Sequence, residues 1–401
     1  MSEPPAVLKP FLETKDAFVE IRRDLHRHPE LAFQEHRTSD IVAEKLRACG
    51  VDVSTGLADT GVVGILKAGD SGRAIGLRAD MDALPLQEAN DFAHRSRHDG
   101  RMHACGHDGH TAMLLAAAEH LARTRNFDGT VHFIFQPAEE NEGGALRMVD
   151  DGLFERFAME AVFGLHNLPT LPLGSFVAQP GPLMAGFDVF TISVRAAGGH
   201  AAMPQQTADP VLAAAHVVTA LQSIVARTVD PLKSAVLSVT RIDAGHSFNV
   251  IPSEATVAGT VRYFDRAIGD TIEARMADIV AGVGAAFGVE ADIAYDKRYP
   301  PTVNDPAEAA FCAGVLRDAF GERCLVRDAD PLMGSEDFAF MLERKAGCYI
   351  WAGGGTKDKR AAPLHNPHYD FNDDLLPYGA AYWVRLVEKR LPCGTAQASP
   401  P

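Results

Sequence analysis

The sequence predicts an α/β protein: a discontinuous α/β domain around a mostly parallel central sheet, with a ferredoxin-like α+β domain inserted into it. Three observations carry this. Short apolar strands alternate with amphipathic helices up to Leu165, the texture of a parallel sheet covered by helices. A β-α-β-β-α-β run then fills 187–295, the element order of a ferredoxin-like unit. After Pro300-Pro301 the first texture resumes. The discontinuous domain is expected at 1–183 and 298–401, and the inserted domain, whose two short connections and exposed sheet edge suit it to act as a lid and to dimerise, at 184–297.

Taken in order, Phe18, Ile21, Leu25, Ile41, Val42 and Leu46 recur at helical spacing over 15–49. Pro29 divides that helix, because it lacks a donor and restricts His28. Segments 61–67, 74–79, 130–136 and 161–165 read as strands and 110–125 as an Ala- and Leu-rich helix. In the insert, strand 187–195 precedes helix 209–227, where Asp209 suits the N-cap and Pro210 the first turn. Strands 235–243 and 255–264, helix 268–287 and strand 289–295 follow. Helix 307–320, strand 348–352 and helix 377–390 end the fold, and the polar tail after Pro392 is expected to fray. Gly353-Gly354-Gly355 lacks the Lys-Ser/Thr of a phosphate loop and reads as a tight turn.

Composition narrows the function. The 401 residues are 46% hydrophobic and 23% charged, as in a folded protein of two or three domains. The formal charge of −15 argues against nucleic acid and anionic membranes as partners. No run approaches about 18 apolar residues, and the N-terminus has no secretory pattern. Six Cys without a CxxC pair make no disulfide framework, so the cytoplasm is the expected compartment.

The densest chemistry lies at 103–110, where three His, one Cys and one Asp precede a helix. Thiolate and neutral imidazole are good ligands for zinc and similar cations. Three strand ends share the same character: Asp80-Met81-Asp82, Glu139-Glu140 and His166-Asn167. In an open α/β sheet such ends converge on one crevice. Adjacent glutamates point in opposite directions in extended chain, so one can bind metal while the other acts as general base. His365 or His368 could complete the site from a distant part of the chain. Ser335-Glu336-Asp337 lacks the GxSxG elbow of a nucleophilic serine and reads as a polar cleft wall.

Read together, these motifs resemble the amidohydrolases that include hippurate hydrolase, bacterial N-acyl-amino-acid aminoacylases and the plant auxin-conjugate hydrolases, within a superfamily of dinuclear metallopeptidases. The resemblance covers nearly the whole chain, through 22–31, 77–85, 102–110, 136–140, 164–167, 249–252, 333–338 and 364–367. It implies two divalent cations, zinc or manganese, with cobalt or nickel compatible. It implies Cys105 as their bridging ligand, Glu140 and His365 on one, His107 and His166 on the other, and Glu139 as general base. It implies that His200 steadies the oxyanion in a neighbouring subunit's site, hence a homodimer, and that Asp80, Asp82, Asn249 and Glu336 contact substrate or support the ligands. The implied activity is hydrolysis of N-acyl amino acids. A dipeptidase or carboxypeptidase is the alternative, and a non-catalytic metal-binding protein a third reading, in which Glu139 would have no purpose. Gln205, where relatives commonly carry His, and Ala197, where Gly is common, depart from the pattern.

Overall fold

A computed structural model describes residues 5–140, 142–355 and 362–393. The tail after Pro392 therefore lies, but for Cys393, outside the described residues. The chain divides into two compact units, one of Met1–Gly181, Val303–Asp330 and Phe340–Pro401, the other of Pro182–Thr302 and Pro331–Ala339. In chain order the strands of the two main sheets are β1 (Asp52–Leu57), β2 (Gly61–Ala68), β3 (Ala74–Asp80), β4 (Gly129–Gln136), β5 (Ala161–Pro172), β6 (Phe176–Val177), β7 (Gly186–Arg195), β8 (Ala235–Ala244), β9 (Glu254–Tyr263), β10 (Glu290–Tyr299) and β11 (Ala346–Gly355). The long helices are α1 (Lys9–Arg27), α2 (His36–Ala48), α3 (His107–Thr124), α4 (Pro210–Arg227), α5 (Arg266–Phe287), α6 (Pro306–Phe320) and α7 (Leu376–Arg390).

Among the described residues, the first unit holds a seven-stranded sheet in the order β1-β2-β4-β3-β5-β11-β6. Its four central strands, β4, β3, β5 and β11, run parallel, and antiparallel neighbours close both edges. The central strands are buried almost along their length, so they read as continuous apolar runs. Leu77, Phe133, Phe163 and Ile350 from the sheet share one core with Leu114, Leu121 and Trp383 from α3 and α7. This arrangement sends the carboxyl ends of β3 and β4 toward the loop that opens α3.

Two local expectations change. Gly353-Gly354-Gly355 is not a turn but the end of β11. A Cβ on Gly353 would stand 2.0 Å from the Pro172 carbonyl oxygen, so glycine lets β5 and β11 approach there. β5 does not stop at Leu165 but runs on to Pro172, which puts His166 and Asn167 inside the strand, opposite Trp351 and Ala352.

The second unit is a four-stranded antiparallel sheet in the order β8-β9-β7-β10, with α4 and α5 packed on it. Phe190, Ile192, Val194, Val257 and Val261 meet Val217, Leu221, Ile272 and Met276 in its core. Asp209 caps α4 by accepting from the Val211 and Leu212 N–H groups. By length and composition α4 is apolar enough to cross a membrane. A count of uninterrupted apolar residues misses this, because His216, Thr219, Gln222 and Ser223 break the run. The helix lays Ala213, Ala214, Val217, Leu221 and Ile224 into the core of its unit. Pro331–Ala339, placed by the sequence in the first domain, joins this unit because Leu332 and Gly334 accept from Ala185 N–H while Leu332 N–H donates to Leu183.

Candidate metal centre

The loop before α3 brings the first ligands together through a glycine. Gly106 has φ +97°, a left-handed conformation, and a Cβ on it would lie 2.3 Å from Asn167 Nδ2. Only glycine fits there. The bend lets Cys105 and His107 face the same point although they flank one residue. Asn167 Nδ2 donates to the Cys105 carbonyl at 2.7 Å and ties the bend to β5. Cys105 Sγ lies 3.3 Å from His166 Nε2.

Candidate ligand atoms fall into groups no wider than 4.8 Å: Cys105, His107 and His166 form one, and Cys105, Glu140 and His365 another. The two share the sulfur. His365 Nε2 is 3.1 Å from Glu140 Oε1. Glu139 offers a carboxylate oxygen within the same reach of ligand atoms on His107 and Glu140. His365 has φ +62° and Ala138, just before the glutamates, φ +56°. Non-glycine residues held there cost energy, and such outliers cluster at functional sites.

Hydrogen bonds fix which ring nitrogens face inward. His107 Nδ1 is 2.9 Å from the Asp82 carbonyl oxygen and 3.2 Å from Asp82 Oδ1. A carbonyl only accepts, so Nδ1 carries the proton and Nε2 is left for a cation. His166 Nδ1 likewise donates to the Asn167 carbonyl at 2.7 Å, leaving Nε2 without a proton and facing Cys105 Sγ at 3.3 Å. Asp82 Oδ2 accepts from Glu140 N–H at 2.9 Å, so one carboxylate aligns two candidate ligands.

Burial makes the unliganded site electrostatically expensive. Desolvation raises the Cys105 thiol well above its ordinary range, and Glu140, Glu139 and Asp80 push the same way. Burial lowers His107, but Asp80, Asp82 and Glu140 outweigh it and hold the ring up to about 10. Burial, with His110 and His107, drives His166 well down. A divalent cation relieves this set of demands, since it favours thiolate and neutral imidazole together. The residues fit such a cation. Sulfur, imidazole and carboxylate donors converge, and the buried His107 Nε2 has no hydrogen-bond partner.

The other histidines of 103–110 are used differently. His110 Nδ1 donates to Asp80 Oδ1 at 2.6 Å, and its Nε2 accepts from Asn167 N–H at 3.0 Å. With both nitrogens engaged, it braces β3 against β5. Asp80 also takes Arg78 Nη1 at 2.7 Å, so this carboxylate is a brace as well. His103 is buried with neither ring nitrogen hydrogen-bonded. His368 is exposed and belongs to none of the ligand groups among the described residues. Tyr369, which sequence reasoning passed over, donates to Asn167 Oδ1 at 2.7 Å.

In the second unit, His200 pairs with Val250 across a two-stranded ribbon, and Ala201 N–H donates to the Asn249 carbonyl at 3.0 Å. Asn249 is thus a structural neighbour of exposed His200. His200 Nδ1 accepts from Ala202 N–H at 3.0 Å, so the neutral ring carries its proton on Nε2. Glu336 is buried in that unit and its Oε1 accepts from Phe338 N–H at 2.9 Å.

Known proteins match this chain over nearly its whole length. It is 43% identical to a hippurate hydrolase of Campylobacter jejuni over 380 residues, covering 95% of this chain and 98% of that one. It is 39% identical to an IAA-amino acid hydrolase of Arabidopsis thaliana, covering 94% and 86%. Its structure is similar to that of a dinuclear metal-binding peptidase of the M20 family from Bacillus subtilis, with TM-score 0.82 and 33% identity over 95% of this chain and 99% of that one. A family model described as peptidase family M20/M25/M40 matches residues 76–389, a stretch that takes in most of β3, Cys105, both glutamates, His166 and His365. With that stretch carrying every candidate ligand, the chain belongs to peptidase family M20/M25/M40.

Proposed function

We propose that the protein hydrolyses the amide bond of N-acyl amino acids, releasing a carboxylic acid and a free amino acid, at a centre of two divalent cations. The observation that carries this is the pair of ligand groups sharing Cys105, with the Glu139 carboxylate beside them. In this reading Glu140 and His365 complete one cation site, and His107 and His166 the other. The cations, zinc or manganese with cobalt or nickel compatible, would acidify water and polarise the amide carbonyl when bound. Glu139 takes the proton of the attacking water and returns it to the leaving amine nitrogen. Asp82 keeps His107 and the Glu140 backbone aligned through these steps. His200, with its proton on Nε2, can donate to the oxyanion that develops on the carbonyl. The activities of the hippurate and IAA-amino acid hydrolases support an aromatic acyl group.

The test is Glu139→Gln. An amide cannot take the proton, while the ligands are untouched. Turnover of benzoyl-glycine should fall by at least about 10²-fold with metal content unchanged. A variant that loses metal instead makes Glu139 a ligand, and one at wild-type rate moves the base elsewhere. Crossing benzoyl, acetyl, indoleacetyl and aminoacyl groups with several amino acids then separates an aminoacylase from a dipeptidase.

A further inference from the structure

Glu35 is fully buried, far from any ligand in sequence, and absent from the chemistry above. It sits at the N-terminal edge of α2, in the loop after α1. Its Oε1 accepts from Ala138 N–H at 2.9 Å, and its Oε2 accepts from Thr60 Oγ1 at 2.6 Å. Ala138 immediately precedes Glu139 and holds the left-handed φ of +56°. Its carbonyl accepts from Gly144 N–H at 2.9 Å. On the other side of Glu139, the Glu140 N–H is held by Asp82 Oδ2 at 2.9 Å. The backbone on both sides of Glu139 is therefore gripped by a buried carboxylate. Burying a carboxylate is costly unless its bonds are needed. Burial and the Asp82 charge push this carboxyl up to about 7.

We propose that Glu35 is a positioning residue for Glu139, holding the strained Ala138 peptide so that the Glu139 carboxylate meets the attacking water. Asp82 makes the matching contact but also orients His107, whereas Glu35 grips the Ala138 peptide through bonds to Ala138 and Thr60, neither of them a candidate ligand. The proposal rests on the reading of Glu139 as general base. A displacement of about 1 Å in a catalytic group can cost on the order of 10²-fold in rate.

Two substitutions test it in the metal-loaded enzyme. Glu35→Met keeps the bulk and removes both acceptors. Its kcat should fall about 10- to 100-fold, with KM and metal content within about twofold of wild type. Glu35→Gln keeps a carbonyl oxygen for Ala138 N–H and can turn its amide to Thr60 Oγ1, so it should restore kcat to within about threefold of wild type. The proposal is overturned if folded, metal-replete Glu35→Met turns over at the wild-type rate, if its activity falls only in step with metal, or if Glu35→Gln falls as far as Glu35→Met. Should Glu35→Met not fold, Thr60→Val frees the far oxygen of Glu35. A smaller kcat loss at constant KM and metal content supports the grip, and an unchanged kcat overturns it. Wild-type turnover in Glu139→Gln would instead defeat the general base, which separates the two failures.

Discussion

Cys105 meets a demand that no other side chain at the centre meets, because both ligand groups pass through its sulfur. Serine has nearly the shape but is a harder, far less acidic ligand. Cys105→Ser should therefore lose metal and activity together, read by metal analysis beside the hydrolysis rate; retention of both would remove the bridge. Behind the ligands, Asp108 Oδ2 accepts from His26 Nδ1 at 2.9 Å, and Glu88 Oε1 lies 3.2 Å from His26 Nε2. Burial lowers His26, yet these bonds outweigh it and hold the ring up to about 9, with Arg22 opposing. A raised folded value means stabilisation that is complete below the unfolded value of about 6.5 and lost as pH rises through about 9. Denaturant melts of the metal-loaded enzyme between those limits should show this loss. His26→Gln should flatten it, and equal slopes in the two proteins would count against it. The candidate ligands stand out in the sequence as chemistry because Cys, His and Glu gather at strand ends. Glu35 does not, since its bond to Ala138 joins residues 103 positions apart. Between His365 and His368 the residue pattern alone leaves both open and the family resemblance favours His365; in the fold His365 N–H donates to the Ala104 carbonyl at 2.8 Å, next to Cys105.

At the scale of elements, β5 and β11 govern where His166 stands. Their close approach makes a paired prediction. Gly353→Ala sets a methyl group 2.0 Å from the Pro172 carbonyl oxygen, whereas a Cβ on Gly354 meets nothing nearer than 3.8 Å. Gly353→Ala should cost about 1–3 kcal/mol of stability by overpacking, and Gly354→Ala much less. Denaturant midpoints for the two variants decide it, and equal shifts would mean the strands part without strain. This is also where reading the sequence failed for a physical reason. Three consecutive glycines resemble a turn, and only the facing strand shows that they are needed for contact. β1 was missed because Asp52–Leu57 is largely solvent-facing and carries little apolar pattern. The buried strands and the long helices were legible because apolar periodicity and caps such as Asp209 agree with the fold.

For the whole molecule, the second unit leaves apolar surface bare. β8 is an edge strand whose far half is exposed, and Ile242, Phe248, Val250, Val211 and Leu212 stand out in solvent. Edges of this kind invite pairing with another copy. The expected assembly is a twofold homodimer through this unit, with His200 acting in the other subunit's centre. His200→Ala should lower kcat at constant metal content. Mixing inactive Glu139→Gln subunits with His200→Ala subunits should restore activity, because some mixed dimers regain one intact site. Mixtures shown to exchange subunits yet remaining inactive would place His200 outside the shared site, and sedimentation as a monomer would refute the assembly. The two-domain order was legible because each unit has its own strand and helix rhythm. The return of Pro331–Ala339 to the second unit was not, because its backbone bonds to Leu183 and Ala185 leave no side-chain signature.

The interruption of the first unit also sets a timetable for synthesis. His365 follows His166 by about 199 residues, and at roughly 5–20 residues per second a ribosome needs on the order of 10–40 s to cross that gap. Throughout it, the nascent chain carries Cys105, His107, both glutamates and His166 without their last companion. The second unit emerges whole within the interval and can fold first, as domains do. Chains arrested between the two points should therefore hold at most one cation firmly. The complete pair would be acquired only after β11 has docked beside β5, which would make cation loading a late checkpoint in the maturation of the protein.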